Sequence, residues 1–162
     1  INIVGGLGSI IYALEMKKYI KIYGSIFSNN YGNYSLFYID NSNLSFANCL
    51  VINNSAPLFQ IINEANINFK LIYFKENVCG EYCFYLKLNA LSNFGFIDCF
   101  LDFSGSVSTK SIIVSNLYIY KINSKINITR CIILSDAIYF IEVKNIDIYL
   151  ENLRAQTLLS SW

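Results

Sequence analysis

The chain has 162 residues, of which 54% are hydrophobic, so one domain with an ample core is expected. Twelve Lys and Arg balance eleven Asp and Glu, and the resulting net charge of +1, without a basic block, argues against nucleic-acid binding. Lys, Asn, Asp or Ser interrupts every apolar run before the ~18 residues that a membrane span requires, so no transmembrane helix is expected.

Short apolar runs recur along the chain at nearly regular intervals. In chain order, the first set begins at Ser9, Ser35, Pro57, Cys83, Ser111 and Ala137, with starts 22–28 residues apart. A second set falls between them and begins at Ile20, Leu44, Ile67, Phe94, Ile126 and Ile146. Apolar residues alternate with polar ones in these runs, which is typical of strands with one buried face. Each repeat therefore predicts two or three strands and no helix.

Asparagine recurs where strands of the repeat end. Asn30, Asn54 and Asn77 lie 24 and 23 residues apart, and Ser104-Gly105 and Ser135-Asp136 take the later junctions. Asparagine tolerates the left-handed backbone conformation and hydrogen-bonds to neighbouring backbone groups. We therefore predict that Asn30, Asn54 and Asn77 form a repeated corner and hydrogen-bond to one another in a ladder.

Repeats of this length that contain only short strands indicate a parallel β-helix, in which each coil stacks on the next. A β-sandwich also has short strands, but it needs hairpin turns every ~8–12 residues. The sequence lacks Asn-Gly and Asp-Gly pairs, the strongest hairpin signal. The predicted fold class is all-β, a single-stranded parallel β-helix (solenoid) of about six coils, with residues 1–162 as one domain. Because the chain begins with Ile and shows no signal peptide, we expect a fragment of a longer or processed chain.

Two motifs of the repeats point to a known group of proteins. Phe27-Ser-Asn-Asn30 and Phe74-Lys-Glu-Asn77 match the pattern FxxN, and Gly5-Gly6-Leu7 approximates the pattern GGA[ILV]. The sequence in this respect resembles the polymorphic outer-membrane proteins and the related adhesin-like surface proteins of protists, which carry both motifs in right-handed parallel β-helices. Val51-Ile-Asn-Asn54 departs from the pattern, since it has the asparagine without the phenylalanine. The resemblance implies a right-handed coil and a place at the cell surface.

The five cysteines fall into two groups. Cys49, Cys99 and Cys131 each lie inside a predicted strand at a similar place in the repeat, where they suit the stacked core as small apolar residues. Cys79 and Cys83 flank a predicted turn and are candidates for a local disulfide or for half of a metal site. The chain has no His and no second close cysteine pair to complete four ligands, so we expect no metal and no cofactor.

Carboxylates are few and scattered along the sequence. Asp98 and Asp102 are four residues apart, which would place both on one face of a regular strand, about 13 Å apart. Glycosidase carboxylates lie ~5–9.5 Å apart, so this pair would need partners from adjacent coils. The lack of His excludes Ser-His-Asp and Cys-His arrangements, and neither a phosphate loop nor a dinucleotide fingerprint occurs. We therefore predict no catalytic residue and no enzyme activity.

Two further sets of residues are candidates for surface roles. Sequons of the form N-x-[ST] make Asn33, Asn43, Asn53 and Asn127 candidates for N-glycosylation in a secreted eukaryotic protein. Among these, Asn33 and Asn43 lie in polar loops and are the favoured acceptors. Tyr12, Tyr38, Tyr85 and Tyr139 take similar places in the aligned runs. They form either an exposed stripe that binds sugars or proteins, or part of the packing within the solenoid.

These patterns favour a non-enzymatic structural or adhesin-like β-solenoid, extracellular or at the cell surface, that mediates adhesion or assembly. The expected partners are further copies of the chain or other surface proteins. Glycans are an additional candidate, and nucleic acid is not expected. Two alternatives stay open: a structural subunit of an extracellular filament, and a carbohydrate-binding or carbohydrate-active β-helix protein.

Overall fold

The computed structural model describes residues 10–16, 18–88, 92–104, 110–115, 124–143 and 146–157. Within these ranges the regular structure is entirely β-strand. A helix of the length and apolarity that a membrane crossing requires is not found in this part of the chain. The eighteen strands fall into six rungs of three strands each.

The rungs follow one another along the chain. Rung 1 holds β1 (Ile11–Leu14), β2 (Ile20–Tyr23) and β3 (Ile26–Ser28), and rung 2 holds β4 (Phe37–Asp40), β5 (Leu44–Ala47) and β6 (Leu50–Ile52). Rung 3 holds β7 (Phe59–Ile62), β8 (Asn66–Lys70) and β9 (Tyr73–Lys75), and rung 4 holds β10 (Tyr82–Lys87), β11 (Asn93–Ile97) and β12 (Phe100–Phe103). Rung 5 holds β13 (Ser111–Ser115), β14 (Lys125–Thr129) and β15 (Ile132–Ser135), and rung 6 holds β16 (Tyr139–Glu142), β17 (Asp147–Glu151) and β18 (Arg154–Thr157).

Strands at the same place in successive rungs pair in parallel and build three six-stranded sheets. The first sheet has the order β1-β4-β7-β10-β13-β16, the second β2-β5-β8-β11-β14-β17 and the third β3-β6-β9-β12-β15-β18. The chain thus makes about five turns of a parallel β-solenoid. This confirms the predicted all-β parallel β-helix, and the predicted six coils differ only slightly from the observed turns.

The inward side chains of the three sheets meet in one core. In the first sheet, Phe37, Phe59 and Phe84 stack face to face, with ring centroids 4.4 and 5.4 Å apart. In the second sheet, Phe69 stacks on Phe96 at 4.9 Å. Burying each phenylalanine contributes about 1.5–3 kcal/mol, and each aromatic pair adds about 0.5–1.5 kcal/mol. Isoleucines fill the inward positions of rung 5: Ile113, Ile126, Ile128 and Ile133.

The register of the fourth run differs from the sequence alignment by one residue. The sequence alignment matches Cys83 with Ser111, whereas in the structure it is Tyr82 that lies beside Ser111. This register places Phe84 over Phe59, so that the two rings stack inside the solenoid. A one-residue slip would turn each side chain of the strand to the opposite face, and core packing therefore selects the observed register.

The register of rung 6 differs from the alignment by two residues. Tyr139, and not Ala137, lies beside Ser111, and Ile148, and not Ile146, lies beside Ile126. A two-residue shift leaves the alternation of inward and outward residues unchanged. The pattern in the sequence therefore could not distinguish the two registers.

The third strand of each rung explains the FxxN pattern. Phe27, Val51 and Phe74 occupy the same inward position in β3, β6 and β9. Three residues further along, the chain turns at the predicted corner residues Asn30, Asn54 and Asn77. The pattern therefore joins a core side chain to a corner asparagine, and Val51 shows that an aliphatic side chain also fits the inward position.

Residues in the left-handed backbone conformation mark the corners of the solenoid. At the corner between the second and third strands, each of the six rungs has one such residue with φ between 51 and 60°: Gly24, Asn48, Leu71, Asp98, Arg130 and Asn152. Glycine and asparagine adopt this conformation readily, whereas other residues lose roughly 1–2 kcal/mol in it. Leu71, with φ 54°, is therefore a strained position.

We expect Leu71→Asn to stabilise the fold by about 1 kcal/mol, because asparagine relieves the left-handed strain. The leucine side chain is 49% exposed, so little packing is lost. Thermal unfolding followed by circular dichroism measures the change. Leu71→Ala is the matched control, since it removes the same apolar surface without favouring the left-handed conformation. Equal unfolding temperatures for the two variants would contradict the prediction.

Candidate functional site

The corner after the third strand holds the asparagines that the sequence singled out. The left-handed residues of this corner are Asn29, Asn53 and Glu76, each directly before one of the predicted corner residues. Asn30, Asn54 and Asn77 themselves are buried, with exposed fractions of 5, 1 and 1%. The structure brings these three side chains together in one column across rungs 1 to 3.

Asn54 shows how this column is held together. Its Oδ1 accepts hydrogen bonds from the backbone N–H and the Nδ2 of Asn30, at 3.0 and 2.8 Å. Its own Nδ2 donates to the Phe27 carbonyl at 3.0 Å and to Oδ1 of Asn77 at 2.8 Å. Asn54 thus uses both donors and both lone pairs of its amide, which is the full capacity of that group. The column is therefore an element of structure and leaves no polar group of Asn54 for a ligand.

A disulfide joins Cys79 and Cys83 shortly after this column. Both residues are fully buried, and the link closes the turn that leads into β10. A groove of about 580 Å³ runs beside the disulfide, past Tyr31, Asn33 and Glu81. In the described ranges, no three His, Cys, Asp or Glu side chains come close enough together to hold a metal ion.

The other three cysteines lie at corners, so their predicted place inside strands is wrong. Cys49, Cys99 and Cys131 each follow the left-handed residue between the second and third strands of a rung. The chain changes direction there, and the alternation of inward and outward residues is interrupted. All three belong to the buried core, and each thiol donates to the carbonyl two residues earlier, at 3.1–3.3 Å. The Cys131 thiol and burial both raise the pKa of Cys99, which disfavours a reactive thiolate at that residue.

The two candidate carboxylates lie on different elements, so the predicted shared strand face is also wrong. Asp98 is the corner residue between β11 and β12, whereas Asp102 lies within β12. Asp98 accepts hydrogen bonds from Nε and Nη2 of Arg130 in the next rung, at 2.6 and 2.9 Å, and this contact lowers the pKa of Asp98. Asp102 accepts a hydrogen bond from the backbone N–H of Ser104 at 3.0 Å. Both carboxylates are therefore engaged in structural contacts.

The four sequon asparagines differ in their surroundings. Asn33 is exposed in the loop that precedes β4. Asn43 accepts hydrogen bonds from the backbone N–H and Nδ2 of Asn66, both at 3.0 Å, and Asn53 donates from Nδ2 to Oδ1 of Asn29 at 2.6 Å. Asn127 is half-buried within β14. Glycosylation at these positions stays a prediction, and Asn33 and Asn53 are the two exposed residues among the four.

The predicted tyrosine stripe is interrupted in the structure. Tyr12 and Tyr38 stack with ring centroids 4.8 Å apart, but Gln60 takes the next place in the column, before Tyr85. Tyr139 belongs to a different column because of the two-residue shift in rung 6. Tyr38 is only 7% exposed, and burial raises its pKa. A continuous aromatic surface along these four tyrosines is therefore not present.

Sequence reasoning missed two columns on the outward faces. On the third sheet, each of rungs 1 to 5 has a large apolar residue directly before the inward position that Phe27 occupies in rung 1. These outward residues are Ile26, Leu50, Tyr73, Phe100 and Ile132. On the second sheet, Asn43, Asn66 and Asn93 form another amide ladder. Both columns repeat at the rung spacing. An alignment of the third-strand segments in the sequence would have found the apolar column.

No protein-family model matches this chain, and no curated protein matches it. The parallel β-solenoid architecture therefore comes from the structure, and the functional argument depends on the geometry of the faces described above.

Replacing Asn54 with alanine is expected to destabilise the protein by about 3 kcal/mol, because its four side-chain hydrogen bonds are lost and the buried amide of Asn30 loses its acceptor, while Oδ1 of Asn77 keeps the backbone N–H of residue 54. Chemical denaturation measures the change in unfolding free energy. Asn33→Ala, at an exposed asparagine, is the control and should change it by less than about 0.5 kcal/mol. Similar losses in the two variants would show that the column contributes no special stability.

The ion pair between Asp98 and Arg130 predicts a small pH-dependent stabilisation. The pKa of Asp98 is lowered from 3.8 in the folded state, so the contribution is complete above that pH and is lost as the pH falls through the lowered pKa. The protein should therefore unfold at a slightly higher temperature than Asp98→Asn at pH 7, and the difference should shrink as the pH falls below 3.8. Asparagine suits the left-handed corner equally well. A difference that persists at low pH would contradict the assignment.

Proposed function

We propose that this chain is a non-enzymatic, adhesin-like structural β-solenoid of an extracellular or cell-surface protein, and that it assembles by lateral pairing with a second copy. The observation that carries the proposal is an apolar stripe on the outward face of the third sheet, formed by Ile26, Leu50, Tyr73, Phe100 and Ile132. Each of rungs 1 to 5 contributes one residue, about 4.8 Å from the next. Contiguous exposed apolar patches mark interaction surfaces.

The apolar stripe is exposed at four of its five positions, and Phe100 is half-buried. The exposed fractions of Ile26, Leu50, Tyr73 and Ile132 are 65, 38, 36 and 40%. The rings of Tyr73 and Phe100 stack on each other with centroids 4.6 Å apart, which gives the middle of the stripe a flat surface. Outward positions do not need apolar side chains for folding, because they do not pack in the core. The stripe is therefore better explained by a partner than by the fold.

The stripe is self-complementary about a two-fold axis parallel to the strands, between rungs 3 and 4. This axis places Tyr73 opposite Phe100 of the second copy, and Leu50 opposite its Ile132. In the adjacent outward column, Lys75 pairs with Glu76 of its own chain at 3.0 Å and Asp102 is buried, so the contact between the two copies is made by the apolar residues. Each contact occurs twice by symmetry, as in other two-fold dimers. Rungs 2 to 5 place an apolar residue opposite an apolar residue in this arrangement, which favours a second copy as the occupant of the face.

The size of the face predicts a weak and reversible dimer. At the spacing of strands and residues in a sheet, the stripe and its adjacent column cover roughly 25 Å by 10 Å. Such a contact buries less than the ~1,200–2,000 Å² of a standard stable interface. Several such pairs formed between two surfaces would together gain strength from many weak contacts. This behaviour suits assembly on a surface.

Other features support the remaining parts of the proposal. The disulfide between Cys79 and Cys83 suits an oxidising compartment, as outside the cell. Asp98 and Asp102 contact structural partners and share no face, which disfavours glycosidase chemistry. The FxxN pattern supports a relation to adhesin-like surface proteins, since its phenylalanine and asparagine occupy a core position and a corner of a parallel solenoid.

Charge substitutions in the stripe test the pairing. We expect Leu50→Glu to raise the dimer dissociation constant about tenfold or more, because it buries a charge against Ile132 of the second copy. Ile132→Lys should weaken pairing similarly. The double variant Leu50→Glu/Ile132→Lys places opposite charges face to face and should recover part of the affinity. Sedimentation velocity over a range of concentrations measures each constant.

Ser45→Glu is the control, because it adds the same charge to an outward position of the second sheet. It should leave the dissociation constant unchanged. A protein that stays monomeric up to millimolar concentration would contradict lateral pairing, and so would equal weakening by Ser45→Glu. Failure of the double variant to recover affinity would contradict the two-fold arrangement.

A further inference from the structure

A shallow depression opens on the outward face of the second sheet, across rungs 3 to 5. Its volume is about 370 Å³, within the ~300–1,000 Å³ of small-ligand sites. We name it the amide depression after the four asparagines that line it. With one glycine and one threonine, these residues are Asn66, Asn68, Asn93, Gly95, Asn127 and Thr129. Tyr19, which is 51% exposed, also lines it.

Gly95 is the residue that the fold does not explain. It lies within β11, where glycine is unfavourable because it has no side chain to pack, and its φ is outside the left-handed region. A Cβ at this position would meet its nearest neighbours, including Oδ1 of Asn68, at 3.8–3.9 Å, which is ordinary contact. Neither backbone conformation nor packing therefore requires glycine. A glycine within a strand can instead allow a ligand to approach the backbone closely.

The amides around Gly95 are partly held in place before any ligand binds. Asn93 donates from Nδ2 to Oδ1 of Asn66 at 2.9 Å, and Asn66 donates from Nδ2 to Oδ1 of Asn43 at 3.0 Å. Asn68 and Asn127 lie beside Gly95 in the neighbouring rungs, in the same outward column. Groups fixed in advance lose little conformational entropy on binding, which favours affinity. The depression therefore presents ordered amides at the rung spacing.

We propose that the amide depression binds a short neutral oligosaccharide. None of the residues named as lining it is charged, which favours a ligand without charge. An amide both donates and accepts hydrogen bonds, as a sugar hydroxyl does, so Asn68 and Asn127, in the rungs on either side of Gly95, each offer a partner to a separate hydroxyl group. The ring of Tyr19 offers an apolar surface for the C–H face of a sugar. Because Gly95 has no side chain, the sugar ring can approach closely enough to hydrogen-bond to the asparagines on either side.

This site and the apolar stripe lie on different sheets, so the two proposals are independent. The amide depression belongs to the second sheet, whereas the stripe belongs to the third. Leu50→Glu should therefore disrupt lateral pairing and leave oligosaccharide binding unchanged. If the unaltered protein binds the oligosaccharide but does not pair, only the lateral pairing is overturned, and if it pairs but does not bind, only this proposal is overturned.

Isothermal titration calorimetry tests the site with three neutral probes: maltotetraose, cellotetraose and N-acetylchitotetraose. The full chain is produced without glycosylation in a bacterial periplasm, where the disulfide can form and no glycan on Asn127 covers the depression. We expect at least one probe to bind with a dissociation constant below about 1 mM, and Gly95→Val to weaken it at least about tenfold. The unfolding temperature of Gly95→Val should be unchanged or higher, because valine favours strands.

Ser45→Val is the matched control, since Ser45 lies in the same outward column but outside the depression. It should leave binding unchanged. Absence of binding for all three probes would overturn the proposal. It would also be overturned by unchanged binding in Gly95→Val, by equal weakening in Ser45→Val, or by tighter binding of a heparin tetrasaccharide, which is highly charged.

Discussion

Parallel, in-register stacking of the rungs is the constraint on which the rest of the structure depends. Each strand residue meets its counterpart in the next rung about 4.8 Å away, so a buried side chain must pack on or hydrogen-bond to the side chain above it. Phe37, Phe59 and Phe84 meet this requirement by ring stacking. Asn30 and Asn54 meet it through their amides. Because each rung contacts only its neighbours, stability accumulates rung by rung.

The corners let the chain close each rung without losing this register. At the corner between the second and third strands, a left-handed residue changes the direction of the chain in all six rungs, even where that residue is Leu71 or Arg130. The cysteine that follows in three of the rungs packs in the core and also donates to a nearby carbonyl, as Cys49 does to Ala47. Corner and core are therefore built together, since the residue after the turn already points inward.

The outward faces are free of this constraint, and they carry the features that support function. The third sheet has an apolar stripe that runs across five rungs, while the second sheet has ordered amides around Gly95. The two faces point away from different sides of one core, so a molecule could pair laterally through one and hold a glycan on the other. Together these proposals describe an adhesin-like solenoid whose rigid interior positions two separate surfaces.

The sequence by itself determined the parallel solenoid and the equivalence of Asn30, Asn54 and Asn77, because inward alternation and corner chemistry repeat along the chain and need no knowledge of contacts. It misplaced Cys49 within a strand and Asp98 on a shared face with Asp102, because a single left-handed residue, Asn48 or Asp98, makes the corner at these places and the apolar residues on either side of it look like one continuous strand. Only the tertiary structure decided which outward residues share a column. Outward side chains do not pack in the core, so the alternation that the core imposes on the sequence carries no information about their register between rungs.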